Sequence, residues 1–173
     1  AVSKLAQNLI GGLYSKAYKL DIISVRAFNH IGAGQSDVFV ASDFCKQVAE
    51  IEAGKKDAII SVGNLSAKRD FTDVNDVISA YIAIMEKGIS GKTYNVGGGT
   101  VCTISELLDR ILKLSDVKIN VEIDKSRLRP IDTPEISADI SELVADTGFE
   151  PSIPLNTTLL GLLNHWRAFT KRS

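Results

Sequence analysis

The side chains able to do chemistry are few and scattered along the chain. Cys45 and Cys102 stand far apart and outside any C-x-x-C, so neither a disulfide framework nor a zinc knuckle can be argued, and no metal site is expected. A phenol beside an ammonium makes a proton donor when Lys follows Tyr by one helical turn. Tyr14-Ser15-Lys16 and Tyr18-Lys19 have the wrong spacing for that and read as ordinary positions on an amphipathic helix. Gly32-Ala33-Gly34 and Gly97-Gly98-Gly99 both miss the G-x-G-x-x-G spacing of a dinucleotide loop, and by themselves are loop glycines. Arg69-Asp70 reads locally as an ion pair ahead of a helix cap, Arg129-Pro130 as a loop in a basic run with Lys125 and Arg127, and Arg26 as a structural charge inside a strand. His165, near the end of the last helix, is a surface or dipole-favoured residue.

The elements that must hold these groups alternate between helix and strand. Leu5, Leu9, Leu13 and Ala17, flanked by Ala6 and Ile10, recur at helical spacing and predict a helix over 2–19. Ile22 to Phe28 is a β-branched run suited to burial in a parallel sheet. Phe44, Val48 and Ile51 predict a helix over 42–53 with a left-handed cap at Gly54, and Ala58 to Val62 a second strand. Thr72-Asp73 offers N-cap oxygens to a helix with Val74, Val77, Ile78, Tyr81, Ile82 and Met85 on its buried side, ending near Gly88. Thr93 to Val96 is a strand. Thr103-Ile104-Ser105-Glu106 is a capping box ahead of Leu107, Leu108, Ile111 and Leu112, and Val117 to Ile123 alternates as a half-exposed strand does. Asp139-Ile140-Ser141-Glu142 is a second box opening a helix that ends at Gly148, and a final helix carries Leu155, Leu159, Leu160, Leu163, Trp166 and Phe169.

Composition bounds the class. The 173 residues are 45% hydrophobic and 24% charged with a formal net charge of -1, which fits a chain with a packed core and lacks the positive charge of nucleic-acid binders. No apolar run approaches the roughly 20 residues of a spanning helix, so no membrane partner is expected. The first residues lack the basic-then-apolar order of a signal peptide, and a reducing, cytoplasmic compartment is expected. Ala1 opens directly into a helical pattern, which reads as a piece of something longer.

Several segments stand in a telling order: Ala1-Val-Ser-Lys4-Leu-Ala-Gln7, Arg26-Ala-Phe-Asn-His-Ile-Gly-Ala-Gly-Gln35, Ser42-Asp-Phe-Cys-Lys-Gln47, Gly63-Asn-Leu-Ser-Ala-Lys-Arg-Asp-Phe-Thr-Asp-Val74 and Tyr94-Asn-Val-Gly-Gly98. Together they resemble the C-terminal half of an extended short-chain dehydrogenase/reductase acting on nucleotide sugars. Within that group the wording is most similar to the GDP-4-keto-6-deoxy-mannose reductases and their relatives, the GDP-mannose 4,6-dehydratases. The resemblance implies an α/β fold: the C-terminal part of an NAD(P)-binding Rossmann fold over 1–35, then a small α/β substrate-binding lobe over 36–173, with 58–98 returning in part to the Rossmann domain. Ala33 departs from the Gly-Pro-Gly of many relatives.

The site residues follow from the resemblance as expectations. Lys4 falls where the family has the Lys of its catalytic Tyr-x-x-x-Lys, the Tyr lying one residue before Ala1, and would touch both cofactor and proton donor. Ala27, Phe28 and His30 would line the nicotinamide end of NAD or NADP, and Asn29 would turn toward the sugar nucleotide. Arg69 and Arg129, with Lys46 as a third cation, would hold the diphosphate, for which planar guanidinium groups suit. Asn64 and Leu65 would border the nucleotide and Asp132 would hold ribose hydroxyls. The implied activity of the intact parent is reduction of the C4 ketone of GDP-4-keto-6-deoxy-mannose by NAD(P)H. A 4,6-dehydratase or 4-epimerase is the alternative on the same scaffold, and a non-catalytic GDP-sugar-binding module the alternative outside it. The parent is expected to be a homodimer. This chain alone, without the catalytic Tyr and glycine-rich loop, is expected to be inactive.

Overall fold

A computed structural model of the chain describes residues 2–128 and 132–171. The element order is α1 (Val2–Tyr18), β1 (Ser24–Ala27), β2 (His30–Ile31), α2 (Val40–Glu52), β3 (Ile59–Val62), β4 (Lys68–Asp70), β5 (Thr72–Asp73), α3 (Val74–Lys87), β6 (Thr93–Val96), β7 (Val101–Thr103), α4 (Ile104–Leu112), β8 (Asn120–Ile123), a 3-10 turn (Lys125–Arg127), β9 (Glu135–Ile136), α5 (Ser141–Thr147) and α6 (Leu155–Thr170). The fold is mixed α/β. Three strand pairs are parallel, β1 with β6, β2 with β5 and β3 with β8, while β4 lies between antiparallel β7 and parallel β9. Strands β2, β5 and β9 are two residues long and β4 and β7 three, too short to leave a periodic signal.

Two apolar clusters divide the interior. The larger gathers α2, α4 and α6 over β3, with Phe44, Val48, Ile60, Leu107, Ile111 and Leu163 almost fully buried. The smaller packs Val77, Ala80 and Ile84 of α3 on Tyr94 and Val96 of β6, closed by Leu143 of α5 and by Phe149. Local signals behave as the sequence predicts where their partners are near. Thr103 and Glu106 make both halves of a capping box, Asp73 accepts from Asn75 N at 2.8 Å, and Gly148 ends α5 at φ 72°.

Other expectations are corrected. Of the side chains expected on the inner face of α3, Ile78, Tyr81, Ile82 and Met85 are exposed; the buried stripe is Val77, Ala80 and Ile84. The helix carries two apolar faces, and small Ala80 lets the second approach β6. Strand β8 is exposed along its length rather than alternating. The second box is not formed: Asp139 Oδ1 accepts from Ser141 N at 3.0 Å and Ser141 Oγ at 2.6 Å, an Asx turn, and Ile140 makes no side-chain cap. In α6, Leu159, Leu162, Leu163 and Trp166 are buried and Leu160 is exposed. Helix α1 forms as predicted but buries nothing: Leu5, Leu9, Ile10 and Leu13 are all exposed. It is tied down by polar contacts, with Arg26 donating to Asn8 Oδ1 at 2.7 Å and Asn8 donating to Thr93 Oγ1 at 3.1 Å.

The glycine run after β6 has a tertiary reason. Asp70, 1% exposed at the end of β4, accepts from Gly98 N and Gly99 N at 2.9 Å each and from Ala138 N at 3.3 Å. A Cβ on Gly97 would stand 2.4 Å from Ala138 Cβ and 2.9 Å from Asp70 Oδ2. The backbone donors that could have cradled a phosphate are filled by a carboxylate of the chain itself. Arg69-Asp70 is therefore not a local ion pair.

Cys45 sits in the larger cluster with its thiol pushed up to about 12 by burial, so almost none is thiolate at neutral pH. At pH 8, a disulfide-exchange reagent should label Cys102 in the native protein and reach Cys45 only at a rate that rises with denaturant. Equal labelling of both thiols in native buffer would show that this cluster is not closed.

Candidate functional site

A cleft of about 1190 Å³ opens where β1 ends and β2 begins. Its walls come from the loop over 28–39, the start of α2, the turn after β3, and the strands β4 and β9. Each wall is positioned by backbone pairing. Phe28 N donates to Val96 O at 2.8 Å and Thr72 N to Asn29 O at 3.0 Å, so the loop leaves the sheet at a fixed point. Gly32 is required there, because a Cβ would meet Val74 Cγ1 at 2.5 Å. Downstream, Gln35 Nε2 donates to His30 O at 2.8 Å, Ser42 Oγ to Gln35 O at 2.6 Å, and Trp166 Nε1 to Ser42 Oγ at 2.9 Å. That chain anchors the loop to α6.

The structure brings Phe28, Asn29, His30, Asn64, Arg69 and Asp132 together along this cleft. Asn29 and His30 are exposed, and His30 Nδ1 lies 3.0 Å from Phe28 O. Arg69 is the best-held cation. It donates to Asp132 Oδ1 at 2.6 Å, Thr133 O at 2.8 Å and Lys68 O at 2.7 Å, with 13% of its side chain exposed. Asp132 also accepts from Asn64 Nδ2 at 3.0 Å. Two residues expected to bind diphosphate and ribose are thus bonded to each other, a geometry that fixes the guanidinium plane and satisfies part of its donor set.

Four expected site residues stand elsewhere. Lys46 is off the cleft wall: its ammonium is 2.6 Å from Asp37 Oδ2 and 5.6 Å from the centroid of the Trp166 ring. That ammonium holds the Asp37 carboxyl below the usual carboxylate range, and Asp37 in turn raises Lys46. Leu65 packs against the larger cluster and its carbonyl accepts from Ser105 N at 3.0 Å. Ala27 ends β1, exposed, and Lys4 is exposed on the first turn of α1. Arg129 lies outside the described residues.

Cleft residues not singled out by the sequence include Phe71, Ile104, Thr133 and the pair Asp43–Arg127, 2.6 Å apart. No local pattern joins Asp43 to Arg127 across so much chain. The one legible signal was Asp43 and Gln47 at i, i+4, which do bond at 2.8 Å. Among the described residues no group of three or more His, Cys, Asp or Glu could hold a metal ion, and no helix is long and apolar enough to cross a membrane.

A cleft at the carboxyl ends of parallel strands, with a loop leaving the first of them, is where open α/β folds bind ligands. The architecture is that of the extended short-chain dehydrogenase/reductases. The chain belongs to the GDP-mannose 4,6 dehydratase family, whose model matches residues 1–160. It is 32% identical over 168 residues to GDP-6-deoxy-D-mannose reductase of Pseudomonas aeruginosa, covering 97% of this chain and 55% of the relative. It is 26% identical over 157 residues to GDP-mannose 4,6 dehydratase 1 of Arabidopsis thaliana, covering 88% of this chain and 42% of the relative. Among solved structures, RMD from Pseudomonas aeruginosa complexed with NADPH superposes with a TM-score of 0.92 at 30% identity, covering 97% of this chain and 56% of that one. The chain thus spans about half the length of the relatives it matches.

The Arg69–Asp132 contact is nearly enclosed and should be measurable as coupling. A double-mutant cycle of Arg69→Ala and Asp132→Ala, read by urea unfolding, should give an interaction energy of about 1–3 kcal/mol. A value near zero would mean that the pair does not shape the free cleft.

Proposed function

We propose that this chain is the nucleotide-sugar-binding half of an NAD(P)-dependent reductase that converts the C4 ketone of GDP-4-keto-6-deoxy-mannose to an alcohol. The observation that carries the reading is the meeting of Asn29, Asn64, Arg69 and Asp132 in one cleft at the carboxyl edge of β1. The family membership and the named activity of the Pseudomonas aeruginosa relative support the GDP-sugar as substrate.

In this reading Arg69 and Arg129 hold the diphosphate, Asp132 shifts from Arg69 to the ribose hydroxyls, and Asn29 orients the sugar. Lys46 and Leu65 support the walls rather than touch ligand. The residues present fit only the nicotinamide end of a dinucleotide: Phe28 and His30 line the cleft and Ala27 ends the strand just before them, while Gly97 to Gly99 are closed by Asp70. NAD(P)H, when bound, supplies the hydride for C4. Lys4 lowers the pKa of a phenol one helical turn before it, so that the phenol delivers the proton to O4.

The bare apolar faces of α1 and α3 suit burial under the cofactor-cradling half and against a second copy of the enzyme. The smaller cluster, with α1, β1, β6 and α3, then belongs to the cofactor domain, and the larger cluster is the core of the substrate lobe.

The test joins this chain to the residues encoded ahead of Ala1 and follows NAD(P)H consumption with GDP-4-keto-6-deoxy-mannose. Turnover is expected, slowed about 10²–10⁴-fold by Lys4→Met and absent for the 173-residue chain alone. Release of water or inversion at C4 without net cofactor consumption would make the enzyme a dehydratase or epimerase, and tight GDP-sugar binding with no reaction would make it a binding module.

A further inference from the structure

Asp43 faces the same cleft from the first turn of α2 and has no part in the chemistry above. A site for an anionic nucleotide should exclude a carboxylate unless the ligand presents hydrogen-bond donors to it. This carboxylate is also held in place. Its Oδ2 accepts from Arg127 Nη1 at 2.6 Å and from Gln47 Nε2 at 2.8 Å. Gln47 is only 6% exposed and is itself locked to β3, donating to Ser61 O at 3.1 Å and accepting from Ser61 N at 2.9 Å. Both donors fall on one oxygen, and Oδ1 accepts no hydrogen bond from the described residues.

We propose that Asp43, oriented by Gln47 and Arg127, is the residue that selects guanine as the base of the nucleotide sugar. The inference rests on the GDP-sugar reading of this cleft and adds to it the group that reads the base. Among the common bases only guanine carries two adjacent donors, N1–H and the 2-amino group, on its pairing edge, and a carboxylate accepts both. Uracil and thymine present one N–H between two carbonyl oxygens, and adenine and cytosine each place a ring acceptor beside their amino group. All four bring a lone pair against Asp43. The guanine O6, next to N1, is an acceptor of the kind that the Arg127 guanidinium satisfies.

Affinities of GDP, inosine diphosphate, xanthosine diphosphate and UDP for the protein, carrying any residues encoded ahead of Ala1, test this by calorimetry. The unmodified protein should prefer GDP over inosine diphosphate, which lacks the 2-amino donor, by about tenfold, and over UDP by at least about a hundredfold. Asp43→Asn should weaken GDP by about tenfold or more, strengthen xanthosine diphosphate and leave UDP unchanged. A merely structural role for Asp43 would shift all four nucleotides together. Equal affinity of the unmodified protein for GDP and UDP, or an equal loss of all nucleotides in Asp43→Asn, overturns the assignment of Asp43 and leaves the nucleotide-binding cleft standing. Failure of the unmodified protein to bind any of the four overturns both. The comparison of GDP with inosine diphosphate needs no variant, so a misfolded Asp43→Asn would not leave the assignment undecided.

Discussion

Asp70 is the group on which the arrangement of this molecule depends. A single buried carboxylate accepts three backbone N–H groups from segments 28, 29 and 68 residues away. It joins β4, which sits with the larger cluster, to the turn after β6, which belongs to the smaller one, and to the chain leaving β9. Hydrogen bonds to a charged acceptor are worth about 1.5–3 kcal/mol each, and losing the acceptor strands buried donors. Arg69, the next residue back, owes its position on the cleft wall to the same anchoring of β4. Structure and site therefore share one pivot.

The charges around the cleft are paired before any ligand arrives. Arg69 has Asp132, Arg127 has Asp43 and Lys46 has Asp37. The Arg127 and Lys46 pairs, partly exposed, contribute little to stability, whereas the Arg69 pair is more enclosed. Their effect is geometric: each removes rotamer freedom from a long side chain, which lowers the entropy lost when a ligand binds. The Lys46 pair also seats an ammonium over Trp166, whose indole N–H holds Ser42 and through it Gln35. The loop over 28–39 is thus fastened to the last helix of the chain.

The cleft, with its paired charges, contrasts with the surfaces of α1 and α3, where Leu5, Leu9, Leu13, Ile82 and Met85 lie exposed. Apolar faces of that extent mark contact surfaces in a folded protein. Their position on the elements around β1 and β6, away from the larger cluster, agrees with a chain that spans about half of its relatives.

The residues expected in the cleft were legible through their order along the chain, which matches a family pattern, and not through any property of each alone. Arg69 has a plain local alternative, an ion pair with Asp70, and only its convergence with Asn29, Asn64 and Asp132 singles it out. Asp43 escaped because its partner is 84 residues distant. Lys46 and Leu65 were expected to face ligand from the resemblance, and a family pattern gives a residue's place along the chain but not the direction its side chain takes.

What the amino-acid order determined by itself were the periodic run of α1 and the features closed within one helical turn: the Thr103–Glu106 box, the Asp73 cap and the left-handed ends at Gly54 and Gly148. Tertiary structure alone decided which apolar face of α3 is buried, that the three-glycine turn closes on Asp70, and that Arg69 meets Asp132. The reason is physical. A cap needs only donors and acceptors a few residues apart, whereas these choices depend on strand order and on which surfaces compete for the same core.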